Sequence, residues 1–209
     1  DGASANLTIT VTGINDAPVA TNDTGSVNED ATLSVSNGSG DIIDNNDTDA
    51  DDSASLVVSA VRIGGVEGSG NAGTVGQALT GTYGQLTLNA NGSYSYVANQ
   101  DAADDLDASD QVTDVFNYTL SDGTATDTAT ITITVTGIND APVADNETGA
   151  VNEDATLTVT DGTSDVLHGD TDADDSASLT VSAIRTGAED GSGTSGSIGS
   201  GLTGTYGTL

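Results

Sequence analysis

The chain repeats itself, and this limits what it can fold into more than any other feature. Residues 11–20 read VTGINDAPVA, and residues 135–144 read the same ten letters 124 positions later. VNEDATL at 27–33 returns at 151–157 with that offset. DTDADDSASL at 47–56 and GTYG at 81–84 return at 170–179 and 204–207, offset by 123. Identities this long define a tandem repeat of 124 residues that has lost one residue in the loop between. The linker NDAP, at 15–18 and 139–142, marks where each copy begins. Three pieces follow: 1–14, the C-terminal strand of a preceding repeat; 15–138, one complete repeat; and 139–209, the N-terminal half of the next. The chain is therefore expected to be an excerpt of a longer array.

Within the complete copy the apolar residues recur every second position. Ile131, Ile133 and Val135 alternate with Thr130, Thr132 and Thr134, and Phe116, Tyr118 and Leu120 alternate with Asn117 and Thr119. Leu86 and Leu88, then Tyr94 and Tyr96, flank Asn89-Ala90-Asn91-Gly92, a hairpin signal in which glycine supplies positive φ. Further strands are expected near 31–36, 55–63 and 78–83, and no stretch shows a 3.6-residue period. Six to eight short strands, each with one apolar face, predict an all-β fold of tandem Ig-like β-sandwich modules. The core must be built from Val, Ile and Leu with a few Tyr and one Phe.

Charge narrows the function. With 33 acidic residues, two arginines (Arg62 and Arg185) and no lysine, the formal charge is −31. Nucleic acid is excluded as a partner, because binding phosphate requires cationic side chains that release counterions. An anionic membrane surface repels such a chain, and no apolar run is long enough to insert into a bilayer. There is no cysteine, hence neither a disulfide nor a thiolate metal site. Of the acids 28 are Asp and only five Glu, and they cluster in short loops between β-branched runs, which argues against a disordered acidic tail.

Four motifs recur: NDAP in the linker (Asn15, Asp16; Asn139, Asp140), NED after it (Glu29, Asp30; Glu153, Asp154), DTDAD (Asp47, Asp49, Asp51; Asp170, Asp172, Asp174) and the turn SDG with Asp122. Two carboxylates about 4 Å apart repel by roughly 4 kcal/mol at an effective dielectric of 20. Lacking basic partners, these motifs point to Ca²⁺, which takes six to eight oxygen ligands from carboxylates, amides and carbonyls. Solvated turns are the plainer alternative, since Asp and Asn favour turns. DTDADDSASLVV is no EF-hand loop, having Asp52 where Gly is needed and Val58 where Glu is needed. GGVEGSG at 64–70 lacks the Asp of glycine-rich calcium repeats and is expected to be a flexible loop, as is its counterpart at 187–201.

GTYGQLTLNANGSYSY, VTDVFNYTLSDG and ATITITVTGINDAP, spread over residues 81–142, resemble the VCBS-type repeat of very large bacterial surface adhesins. NEDATLSV followed by DTDADD is similar to bacterial cadherin-like modules of the same proteins. The resemblance implies an extracellular protein at the bacterial cell surface, exported by a type I system, whose many repeats form a stalk. It also implies calcium between modules. Carried over by residue, one junction uses Glu29, Asn139, Asp140, Asp172 and Asp174, and the other Asn15, Asp16, Asp49, Asp51 and Asp122. The linker GINDAP has Gly13 and Gly137 where a cadherin has its first Asp, and no Asp-Arg-Glu motif occurs.

An enzyme is not expected. His168, the single histidine, is replaced by Asn45 in the complete copy, and nothing singles out an acid pair for hydrolysis. The sequon Asn117-Tyr118-Thr119 is of a kind expected by chance in a Thr-rich chain. Three functions stay open: a calcium-stiffened structural extender for adhesion and biofilm formation, whose partners are the neighbouring repeats; a module that binds surface glycans or other adhesin copies; and a subunit of an extracellular filament or sheath.

Overall fold

A computed structural model describes residues 1–209 except Ser39, Asn45, Asp52, Ser53, Asp161, Thr163, Ser164, Asp175, Glu189 and Asp190. The comparisons resting on Asn45 and Asp52 therefore lie outside the described residues. The chain forms two compact units, residues 1–138 and 139–209.

Among its described residues unit 1 contains eight strands and one helical turn: β1 (Asp23–Asn28), β2 (Thr32–Val35), β3 (Val57–Ile63), β4 (Ala78–Thr80), β5 (Gln85–Leu88), β6 (Tyr94–Val97), α1 (Asp101–Asp104), β7 (Gln111–Ser121) and β8 (Thr126–Thr136). Two four-stranded sheets face each other, ordered β1-β8-β7-β3 and β2-β6-β5-β4. All pairings are antiparallel except β1 with β8, which run parallel from Asp23↔Ile131 to Asn28↔Thr136. The fold is the all-β sandwich that the alternation predicts.

The period-two residues fill the space between the sheets. Ile131, Ile133 and Val135 of β8, Phe116, Tyr118 and Leu120 of β7, and Leu86, Leu88, Tyr94 and Tyr96 of the β5–β6 hairpin are all buried. Tyr96 meets Phe116 edge to face, with centroids 6.4 Å apart. Rings in this arrangement add about 1 kcal/mol beyond the area they bury. The hairpin turns at Gly92, φ 87°, as its Asn-Gly signal requires.

β1 escaped the sequence pattern because two of its alternate positions are Asp23 and Gly25. A Cβ on Gly25 would lie 2.7 Å from a Leu33 methyl and 2.8 Å from one of Ile133, so the bare backbone lets the sheets close there. The 64–70 loop also differs from expectation. Buried Asn117 pins it, donating from Nδ2 to Gly64 O (2.8 Å) and Ser69 O (3.1 Å) and accepting from Gly68 N (3.0 Å). That carboxamide is committed to the loop, not presented as a surface sequon.

Several carboxylates serve as acceptors for turn amides. Buried Asp41 accepts from Gly38 N, Ile43 N and Asp44 N at 2.8–3.0 Å. Asp114 holds the GTYG turn through Thr82 N (2.8 Å), Tyr83 N (3.0 Å) and Gly84 N (3.2 Å), and accepts from Tyr96 Oη at 2.6 Å. Burial, with this carboxylate beside it, pushes the Tyr96 phenol far above its ordinary range. The excess of Asp over Glu has a physical basis here: a short carboxylate reaches neighbouring backbone N–H groups with little side-chain entropy to lose.

Unit 2 has no assigned strand among its described residues, yet it reproduces local pieces of unit 1. Asp165 accepts from Gly162 N (2.7 Å) and Leu167 N (3.0 Å), as Asp41 does from its counterparts. Gly196 N donates to Ile184 O and Gly204 N to Gly207 O, mirroring Gly73 to Val61 and Gly81 to Gly84.

Candidate metal centre

In unit 1 the linker and the DTDAD loop run antiparallel to each other. Val19 and Thr48 exchange both backbone hydrogen bonds, Val19 N to Thr48 O at 2.8 Å and Thr48 N to Val19 O at 3.1 Å. Continuing that register outward brings Asp51 opposite Asp16, and Asp16 N donates to Asp51 Oδ2 at 3.0 Å. Asp51 N in turn donates to Asp49 Oδ1 at 2.8 Å, closing an Asx turn. Asn15 joins through its Nδ2, which donates to Asp16 O and, at 2.9 Å, to Asp122 Oδ2. Asp122 itself caps the β7–β8 turn through Thr124 N (2.6 Å) and Ala125 N (2.7 Å). These amides, Ala125 first, hold its carboxyl below the usual range, so it stays ionised.

Five of the sequence candidates, Asn15, Asp16, Asp49, Asp51 and Asp122, thus share one hydrogen-bonded end of unit 1. Unit 2 repeats the arrangement on its own residues. Val143 and Thr171 exchange backbone bonds of 2.7 and 2.9 Å. Asp140 N donates to Asp174 Oδ2 (3.1 Å), Asp174 N to Asp172 Oδ1 (3.1 Å), and Asn139 Nδ2 to Asp140 O. In each copy one carboxylate oxygen, Asp49 Oδ2 or Asp174 Oδ1, is shut off from solvent with no hydrogen-bond partner among the described residues. A buried anionic oxygen without a donor costs several kcal/mol, and a hard cation is the partner that suits it. The donor set fits Ca²⁺: it consists only of carboxylate, carboxamide and carbonyl oxygens.

The remaining candidates also make contacts of their own. Asp47 is turned to the linker: its Oδ1 accepts from Thr21 N at 2.7 Å and Thr21 Oγ1 at 3.3 Å, and its Oδ2 lies 3.3 Å from Tyr118 Oη. Burial raises its pKa, partly offset by those bonds, with Asp127 adding repulsion. Asp170 is likewise turned to its own linker, its Oδ1 accepting from Asp145 N at 2.9 Å. Glu29 is buried and its Oε1 accepts from Ile138 N at 2.6 Å, fixing the last residue of unit 1. Glu153 is exposed in a turn, beside Asp154 at φ 60°, and its counterpart Glu29 likewise precedes Asp30 at φ 58°.

A second acidic group in unit 2, Asp145, Glu147 and Asp170, brings carboxylate oxygens within 4.8 Å of one another. Its counterparts in the complete copy are Thr21, Asp23 and Asp47, where Tyr118 closes the group, its Oη 2.9 Å from Thr21 O and 3.0 Å from Asp23 Oδ2. Burial, then Asp23 and Asp47, push the Tyr118 phenol far above its normal range. In unit 2 a hydrogen bond with Asp145, first, raises the pKa of Glu147.

Sequence reasoning missed Asp127, whose Oδ2 accepts from Ala20 N (2.8 Å), and Asn22, whose Oδ1 accepts from Thr130 N (2.9 Å). Both tie the linker to β8, through contacts more than a hundred residues apart that no local pattern encodes.

The β-sandwich, with its linker and DxDxD loop joined at one end, is a module of the cadherin-like class. The bacterial cadherin-like domain model matches residues 15–137, and the chain belongs to that family. No curated protein matches the chain. The fold is a structural and adhesive one, and domains of this class generally bind Ca²⁺. No helix among the described residues is long and apolar enough to cross a membrane.

Proposed function

We propose that the repeats are extender modules of a large bacterial surface adhesin, with Ca²⁺ at the module junctions stiffening the array. One observation carries this: the same linker-to-DxDxD hydrogen bonds form in both copies, and each copy has a solvent-free carboxylate oxygen lacking a donor, on Asp49 in the first and on Asp174, the counterpart of Asp51, in the second. With only two arginines in the chain, a divalent ion is the available counter-charge. Family membership supports an adhesive module, and the likeness of residues 81–142 to VCBS repeats supports type I export and work outside the cell, in adhesion and biofilm formation. Burial of Tyr94, Tyr96, Phe116 and Tyr118 removes them from any glycan-stacking platform and favours a structural role over a lectin-like one.

Small-angle scattering of several tandem repeats in millimolar calcium and in chelator tests the proposal. Chelation should change the maximum dimension and broaden the pair-distance distribution while the circular dichroism of the sandwiches persists. A maximum dimension that ignores chelator rejects it.

A further inference from the structure

Asp47 and Asp170 lie in the DTDAD motif but outside the ligand sets that the resemblance implies, and the structure gives them a different task. We propose that Asp47, and Asp170 in the second copy, are positioning residues that lock the loop to the linker, leaving Asp49 and Asp51 (Asp172 and Asp174) as the metal-facing pair. This rests on the calcium reading for what the loop presents; the locking itself does not depend on a metal.

Three observations support the division. First, Asp47 Oδ1 accepts both donors of Thr21, the amide at 2.7 Å and the hydroxyl at 3.3 Å, while Oδ2 faces the Tyr118 phenol. These donors lie inside the protein, on the linker and on β7. Second, the Val19–Thr48 pair stands between this end of the loop and Asp51, whose Oδ2 holds Asp16 N. The linker is closed at 21/47, paired at 19/48 and opened towards the ligands at 16/51. Third, the second copy makes the same contact: Asp145 N donates to Asp170 Oδ1 at 2.9 Å and Val143 pairs with Thr171. The lock is thus made by loop and linker residues in both copies, and Tyr118 adds to it in the first. A carboxylate with its oxygens spent on protein donors acts on the ion through the groups it fixes. Such supporting residues commonly set metal affinity without contacting the metal.

The test uses the 209-residue chain with Asp47→Asn, Asp47→Ala or Asp51→Asn. Amide exchange of Val19 and Thr48 is read in chelator, and calcium uptake by calorimetry. Asn keeps an oxygen to accept from Thr21 but loses the charge. Asp47→Asn should thus stay within about threefold of wild type in both measurements, whereas Asp47→Ala should exchange the Thr48 amide at least about tenfold faster without metal. Asp47→Ala should also bind the same number of ions roughly tenfold more weakly. Asp51→Asn should lose an ion and leave the Thr48 amide protected. Loss of an ion from Asp47→Asn, or wild-type exchange of Thr48 in Asp47→Ala, overturns the proposal. Absence of calcium uptake by the wild type would reject the calcium reading alone, and the exchange measurement would still decide whether Asp47 is a lock.

Discussion

Residues 7–11, LTITV, and residues 131–135, ITITV, are nearly the same sequence with opposite fates. Ile131, Ile133 and Val135 have no solvent exposure, whereas Leu7, Ile9 and Val11 are 85%, 75% and 87% exposed, and no strand forms there. Alternation makes a segment able to be a strand. Hydrogen bonds from β1 on one side and β7 on the other make it one. The loops behave differently. The Asp41 and Asp165 turns, the two linker pairings and the two GTYG turns form in both copies, with or without sheets around them. Local polar geometry is encoded locally, and burial is not.

The sharpest way to break this comparison is paired truncation. Ile133→Ala should cost unit 1 about 3 kcal/mol in urea unfolding, combining lost transfer energy with the cavity left behind. Ile9→Ala should fall within about 0.5 kcal/mol of wild type. Equal losses would mean that residues 7–11 are packed in solution. The next effect separates the GTYG turns. A Cβ on Gly84 would lie 2.4 Å from Val97 O and 2.5 Å from the Tyr96 ring, while Gly207 has open space. Gly84→Ala should therefore cost about 2 kcal/mol, as overpacking does, and Gly207→Ala should leave the unfolding midpoint of unit 1 unchanged.

The smallest effect is read by pH. Tyr94, Tyr96 and Tyr118 all have phenols raised by burial, with Asp23, Asp114 and Asp47 nearby. A raised phenol favours folding fully below the unfolded value of about 10, and its contribution is lost as pH climbs towards the folded value. Phenolate absorbance should thus show these three ionising only in the step where circular dichroism is lost. Gradual ionisation of all tyrosines with the sheet intact would contradict the buried placement.

Most of the fold was legible because β5–β8 carry their inward residues in plain alternation. β1 was not, since Asp23 and Gly25 give no apolar signal and its pairing partner lies about a hundred residues away. The metal-facing ends of the linker and DTDAD loop were legible through their recurrence. The resemblance left Asp47 out of the ligand sets, but what Asp47 does instead was not legible, because its partner Thr21 carries no signal in the letters. Recurrence could have flagged Asp41 through Asp165. Asp114 offered no such hint, because its donors come from a turn thirty residues earlier. The charge of −31 is therefore spread over two tasks, facing cations and capping backbone amides.

The parallel pairing of β1 and β8 has a mechanical consequence. The first and last strands of the module run side by side in the same direction through six residue pairs. A pull on the two ends of unit 1 drags β1 backward and β8 forward along their shared axis. The ladder is then loaded in shear, so its bonds must fail together and not one after another, as they would in a hairpin peeled from its open end. Resistance to such a load is set by the unfolding rate, not by equilibrium stability, and this strand order places the strongest geometry directly in the path of the force.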